Sequence, residues 1–476
     1  MSASDKPIVL IVGAGLGGLM LGALLEKSGV PYTIFERAVA VKPLGSAMAV
    51  GPTLLPIFQQ LGIYDELLAI GKHFTHVYNY RENGQEAREA KAVDFRPVEE
   101  FTGYEQYIVA RPKLYELILK QVPPNKIHFG HRVLNITEED DKVTVHLSNN
   151  ATYDGDIVVG ADGAYSAVRQ RMYDQLKAKG ELPKADQEDL PFSCTCLVGQ
   201  TKVLDPKEFP EIELPYCHFT AIHGKNDPYS WHTFNTAQGT ICFMILHHLT
   251  KKSTKEAIEQ RFRNNENSEW GDHPALTMCE ETRNFPISLA GGKQRTLGDL
   301  YDLTPKEYIS KVMLEDKVFK TWHYRRFVLM GDACHKLDPA GGHGAVTAMH
   351  DAIALANLFY AMPTKSASEI TKVFEEYQKE RLPAVMESYN SSKQMAKMSD
   401  RGFAGTLAFY LFSNMPMWLW KQVLIKTVQF RPQVGFIKSV DLKGPVVPVV
   451  SPSEQKARTV FEKRQQQQQQ AASTAI

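Results

Sequence analysis

Three short stretches of the chain join glycine to a carboxylate in a way that can hold a phosphorylated ligand. The first is Gly13-Ala-Gly15-Leu-Gly17-Gly18, a G-x-G-x-x-G after the apolar run Ile8–Val12. Glycine there permits a tight turn and lets the backbone approach a pyrophosphate, which the positive end of the following helix attracts. Glu36, with Arg37 beside it, closes the next β-like run at Tyr32–Phe35, where a carboxylate can accept hydrogen bonds from an adenosine ribose. The pattern predicts dinucleotide binding without separating NAD from FAD. The bland alternative is a helix–strand turn that needs small residues for packing. The second stretch, Gly160-Ala-Asp162-Gly163-Ala-Tyr-Ser166, follows DIVV; the third, Gly331-Asp332-Ala-Cys-His335, follows FVLM and runs on through Pro339 to Gly342-His-Gly344-Ala345. Each sets a carboxylate at a strand end, and the third then feeds a glycine-rich loop into a helix, where backbone N–H groups can face phosphate or an anionic ring edge. For Asp162 and Asp332 the competing reading is a turn or helix-capping aspartate.

The elements that must position these groups are legible in outline. Leu16–Ser28 has apolar residues at helical spacing and stops before Gly29. Residues 53–70 read as a helix broken at Gly62, and residues 111–121 as a helix with Pro112 in its first turn. Lys142–Leu147 alternates as a strand does. Residues 177–191 read as a polar linker, 192–250 as aromatic-rich β structure, and 251–270 as an exposed helix. Met349–Tyr360 and Glu369–Arg381 read as helices, and the tail from Ser451, with glutamine at 465–470, as disordered.

Composition excludes several classes. The chain has 476 residues, 43% hydrophobic and 23% charged, with 54 basic against 54 acidic side chains. It can bury a sizeable core, and it lacks the basic excess of a nucleic-acid binder. Six cysteines, with only Cys194 and Cys196 closely spaced, give neither a zinc framework nor a disulfide scaffold, so no metal is expected. The opening MSASDKPIVLIVGAG has no secretory pattern, which predicts a cytoplasmic setting. Gly402–Val428 is aromatic and apolar but interrupted by Asn414 and Pro416. It reads either as helices packed on the body or as a peripheral membrane contact, and a full span is disfavoured.

The order G-x-G-x-x-G, GADG, then GDA with a glycine-rich loop resembles the group A FAD-dependent monooxygenases over about residues 7–390, and RPQVGFI around Arg431 is similar to fungal members. The resemblance implies an α/β fold: a Rossmann-type FAD-binding domain with an interleaved β-sheet substrate domain and a C-terminal helical region. FAD-binding parts would cover 1–80, 111–180 and 291–400, and substrate-domain strands 81–110 and 181–290. Apolar helices would follow at 401–450 and the disordered tail at 451–476. By resemblance, Gly13, Gly15 and Gly18 hold the FAD pyrophosphate and Glu36 the ribose. Arg111 contacts FAD, Asp162 serves FAD and NAD(P)H, Asp332 binds the ribitol, and Gly342, Gly344 and Ala345 line the isoalloxazine edge. FAD would be held non-covalently, with NAD(P)H and O2 as transient co-substrates. A flavin C4a-hydroperoxide would hydroxylate or epoxidise an aromatic or polycyclic/prenylated small molecule. Two departures stand out: His343 replaces a frequent glutamine, and Ala49 a frequent glycine. A flavin-dependent reductase of prenyl double bonds and a non-catalytic flavoprotein remain the alternatives. No catalytic residue is assigned. Tyr216, His218, His223, His232, His247 and His248 are candidates to orient or deprotonate substrate.

Overall fold

The runs Val9–Val12 and Ile157–Gly160 are buried at every position, as strands covered on both faces must be. In the computed structural model they lie side by side at the centre of a six-stranded sheet. Its order is His323–Tyr324, Phe327–Leu329, Ile157–Gly160, Val9–Val12, Tyr32–Glu36, Ile127–Phe129. All neighbours are parallel except the edge strand His323–Tyr324. The structure describes residues 6–40, 47–82, 87–224, 228–249, 269–270, 272–289, 294–338, 342–398, 410–411 and 414–474. Pro339, nearly all of the helix expected over 251–270 and most of 402–413 lie outside them; Glu269–Trp270 is a short strand.

Helix Leu16–Ser28 has the bounds its periodicity predicts, and Gly29 ends it in the left-handed conformation that glycine adopts without strain. It packs on helix Gly344–Ala361. An ideal Cβ on Gly17 would sit 3.2 Å from that of Ala348, so a larger residue at either position would push the helices apart.

A second, eight-stranded sheet runs Glu269–Trp270, Ser310–Glu315, Phe192–Gln200, Ile241–His248, Tyr229–Asn235, Phe219–His223, His76–Glu82, Ala87–Asp94. Three expected boundaries shift. His76–Glu82 already belongs to this sheet before residue 81. Tyr107–Ala110 pairs instead with Ala47–Val50 and Gly71–His73. Ser310–Glu315, expected in the FAD-binding part, pairs with Phe192–Gln200 because Val312 and Leu314 continue the apolar face of Cys194 and Cys196. One face of the sheet packs Leu197, Trp231, Phe243 and Ile245 against Met278 and Leu300 of helices Asp272–Thr282 and Leu297–Asp302.

The C-terminal region yields two corrections: beyond helix Met417–Val428 the chain from 429 to 450 is irregular rather than helical, and the tail differs as well. The tail is not structureless: Pro452–Thr474 is a helix. Its first turns dock, with Ala457 buried, Arg458 donating to the Ile437 carbonyl at 2.8 Å and Ser453 to Glu380 at 2.9 Å. The exposed glutamine run continues from that anchored start. Upstream, helix Met417–Val428 buries Trp420, Leu424 and Val428 against Val98, with Phe95 and Phe101 alongside.

Candidate functional site

Register brings the three glycine–carboxylate motifs together. Val12 pairs with Phe35 and Gly160, and Gly160 with Leu329, so the carboxyl ends of four strands are level. Gly13, Glu36, Asp162 and Asp332 leave from that one edge, where open α/β sheets bind ligands. The loops also touch. Gly13 has φ +106, and a Cβ there would lie 2.4 Å from the Ala161 carbonyl oxygen. A Cβ on Gly18 would lie 2.1 Å from the Gly13 oxygen. At Gly15, Gly342 and Gly344, by contrast, a Cβ would meet nothing within 4 Å. Gly15 caps helix Leu16–Ser28 and His343 caps Gly344–Ala361; neither helix has a side-chain cap or an acidic residue in its first turn. Both N-termini thus keep their N–H groups and positive dipole ends for an anion.

Glu36 accepts hydrogen bonds from Ala14 N and Ala38 N, each at 2.9 Å, which fixes its carboxylate against the glycine loop. Arg37 beside it is exposed. Tyr115 lies close enough for the Glu36 charge to act on it. Burial and then that charge push its phenol up, and its hydroxyl has no partner among the described residues. Asp162 accepts from Ala167 N at 2.7 Å and Val168 N at 3.3 Å, the first N–H groups of helix Ala167–Ala178, whose N-cap is Ser166. Its second oxygen, Oδ1, is buried without a partner among the described residues. Burial raises its pKa against the pull of Ser166 and those N–H groups. Asp332 is held by Lys336 Nζ at 2.5 Å. Burial opposes its charge, but Lys336, His335 and Arg111 outweigh it, and the carboxyl lies below its usual range. Arg111 opens helix Arg111–Leu119 and is exposed. An anion cradle at two helix ends, an orphaned carboxylate oxygen and a carboxylate flanked by cations fit a dinucleotide with a polyol chain.

Several residues that hold this edge carry no local signal in the sequence. Arg169 donates to the Ala333 carbonyl at 2.7 Å and the Ala164 carbonyl at 2.6 Å, lying over Phe319 at 4.2 Å, and so clamps the second motif to the third. Asp351 receives Gly331 N at 3.0 Å, His335 Nε2 at 2.5 Å and Arg381 Nε at 2.9 Å. Against burial, His335 and Arg381 hold its carboxyl down at about 2. Cys334, His335 and Asp351 could in principle ligate a metal, but the adjacent guanidinium already neutralises the carboxylate. Ala348 is small because Gly17 and Gly331 both press on it.

Comparison with known proteins decides the family. The profile of the FAD binding domain matches residues 6–195 and 294–392. The chain belongs to the group A FAD-dependent monooxygenases. This monooxygenase is an oxidoreductase that binds FAD. It is 27% identical to the FAD-dependent monooxygenase atmM of Aspergillus flavus over 94% of this chain and 90% of that one. It is 28% identical to paxM of Penicillium paxilli over 83% and 79%. Among solved structures it shares the fold of Klebsiella pneumoniae HpxO complexed with FAD and uric acid, with TM-score 0.66 and 19% identity over 88% and 96% of the two chains.

In the monooxygenase, the second face of the eight-stranded sheet turns toward the nucleotide edge. Phe234, Cys242 and Cys217 pack with Ile108 and Ala47, and Ala47 pairs with Ala110, the residue before Arg111. Tyr165 of the second motif hydrogen-bonds Glu315. The Cys196 thiol, pushed up to about 12 by burial and then by Asp338, is neutral lining. The candidate histidines divide. Register places His223, His232 and His248 on this face with Cys194, Cys196 and Met244. His247 stacks on Tyr229 at 4.5 Å on the other face, and His218 packs against Tyr78 at a tilt, with ring centroids 5.0 Å apart. Tyr216 makes an isolated bridge to His73, outside the strands. Burial, then His223 and His248, push His232 down to about 3, and its Nδ1 has no partner among the described residues. His343, capping its helix, is also lowered by burial.

Proposed function

We propose that the chain uses NAD(P)H and O2 to hydroxylate or epoxidise an aromatic or polycyclic/prenylated small molecule. In this reading Gly13, Gly15, Gly18 and the first N–H groups of helix Leu16–Ser28 hold the FAD pyrophosphate. Glu36, with Arg37 alongside, takes the adenosine ribose. Asp332 binds the ribitol, with Arg111 beside it. Gly342, Gly344 and Ala345 face the ring edge, and Asp162 offers its free oxygen to FAD or NAD(P)H. FAD bound there would supply the redox chemistry, in which hydride comes from NAD(P)H and one atom of O2 goes to substrate while the other leaves as water. The protein contributes placement and a dry wall. Cys194, Cys196, Met244 and Phe234 exclude water above the edge, and neutral His232 presents a polar atom within an apolar surface that can orient a hydroxyl or ring N–H. Attachment is non-covalent: Cys334 and His335, the nearby residues able to form a bond, are fully buried, the latter against Asp351.

What supports this reading most is the level arrival of Gly13, Asp162 and Asp332 at one sheet edge beneath a largely apolar sheet face. The test is a panel of aromatic and prenylated compounds scored for stimulated NAD(P)H oxidation and a product heavier by one oxygen atom. Oxidation stimulated without oxygen incorporation would favour the double-bond reductase, and no stimulation by any compound the non-catalytic flavoprotein. FAD that stays with acid-precipitated protein would contradict the non-covalent assignment.

A further inference from the structure

Exposed large apolar side chains are concentrated in one part of the molecule. Of the fifteen among the described residues, nine lie between Tyr410 and Val450. Helix Met417–Val428 explains part of this. Trp420, Leu424 and Val428, spaced by four, face inward; Trp420 donates its indole N–H to the Asp94 carbonyl at 2.6 Å and packs edge-on against Phe95 at 5.5 Å. Trp418, two residues earlier and so about 200° around the helix, must point outward; it is 69% exposed, with Met417, Leu419 and Val423 also exposed. Tyr410 and Leu411 precede the helix, 61% and 60% exposed, and the Tyr410 carbonyl holds Asn414 N at 3.0 Å. At the far end Val449, bonded to the Gln429 carbonyl at 2.9 Å, and Val447 add more apolar surface.

Charge selects the occupant. Residues 401–440 contain five basic side chains, Arg401, Lys421, Lys426, Arg431 and Lys438, and no acidic one, in a chain whose charges balance overall. Lys421 pairs with Glu100 at 3.1 Å, whereas Lys426 is exposed on the same side as Trp418, without an ion-pair partner among the described residues. A protein partner would need a matched apolar patch, but a tryptophan-bearing helix with a lysine two turns on suits the headgroup level of an anionic bilayer. No helix among the described residues is long and apolar enough to cross a membrane. We propose that Tyr410–Leu411 and the outer face of Met417–Val428 form a monotopic docking surface for anionic lipid. Trp420 anchors the helix to the body and Trp418 enters the interface.

Flotation of the purified full-length holoprotein with vesicles tests this. Wild type should float with phosphatidylcholine vesicles containing phosphatidylserine, and more weakly as salt rises or with phosphatidylcholine alone. The double variant W418S/L419S should lose at least tenfold in partitioning with unchanged flavin content and melting temperature. K426E should weaken binding about threefold on anionic vesicles and little on neutral ones. Brominated lipid should quench wild-type tryptophan emission, a readout that needs no variant. Wild type that stays below the gradient with both vesicle types, or is unquenched, overturns the proposal. So does a double variant that binds as wild type. A dimer that W418S/L419S dissociates, with vesicle binding unchanged, would assign the patch to a second copy instead.

Discussion

At the nucleotide edge, backbone N–H groups fix the carboxylates of Glu36 and Asp162; on the inner face of the large sheet, a histidine ring nitrogen is left without a partner among the described residues. Glu36 is fixed by two main-chain N–H groups and Asp162 by two more, while Arg169 clamps two carbonyls. On the sheet face, by contrast, His232 carries a ring nitrogen without a partner among the described residues. A cofactor used unchanged for every substrate tolerates rigid backbone capture. The sheet face, proposed above as the substrate site, would gain by leaving its polar groups free for whatever lies against them.

The sharpest way to break this contrast is a methyl group. Gly18→Ala should destabilise the fold by about 3 kcal/mol or more, because its Cβ has only the Gly13 carbonyl to move into. Gly15→Ala should change stability by less than about 1 kcal/mol yet weaken FAD at least tenfold, because its Cβ fills the open cradle. Denaturant midpoints and fluorescence titration of FAD separate the two, and wild-type FAD affinity in Gly15→Ala would remove the cradle from the argument. Next, Asp332→Ala and Arg111→Ala should each cost about 1.5–3 kcal/mol of FAD binding, roughly tenfold to over a hundredfold in affinity. Unchanged affinity in both would defeat the assignment.

A smaller effect sets one histidine from each region against the other. His350 Nε2 donates to the Thr53 carbonyl at 2.9 Å and, by burial and then Arg381, its pKa is pushed down to about 3. The unfolded chain therefore binds its proton from about pH 6.5 downward while the native chain does not. Stability is full above that pH and is lost as pH falls toward 3, at up to about 1.4 kcal/mol per pH unit. His232 should act in the same direction but less, being partly exposed. Urea midpoints from pH 7 to 4 should flatten in His350→Gln, and an unchanged slope would place the acid sensitivity elsewhere. Smallest is a kinetic difference. His232→Gln should lower kcat/KM about twofold to tenfold, the worth of one neutral hydrogen bond, and His247→Gln, on the opposite face, by less than about twofold. Equal effects would mean that the faces are misassigned.

The same contrast sets what was legible in the sequence. Gly13, Gly18, Asp162 and Asp332 could be read because backbone geometry admits few residues there, and the bounds of Leu16–Ser28 follow from periodicity and Gly29. Ala348, Arg169, Asp351 and Tyr115 could not, since each matters through a contact far along the chain. The six candidate residues on and around the sheet look alike in sequence; only strand register brings His223, His232 and His248 to one face. The tail was misread because six glutamines hide the anchoring contacts of Ser453 and Arg458 upstream of them.

The large sheet draws its strands from separate stretches of chain, at 76–94, 192–248, 269–270 and 310–315, threaded between segments of the nucleotide unit. Such a sheet cannot be cut out and exchanged as a module, because each excision would also sever the parallel sheet. Lineages that share this architecture must therefore diversify their chemistry by point substitution on a fixed wall. The wall also assembles only after contacts distant in sequence have closed, which makes its folding slow and dependent on the other sheet. Under the proposed function, substrate range should drift residue by residue along Cys194, His232, Met244 and their neighbours, while the scaffold behind them stays unaltered.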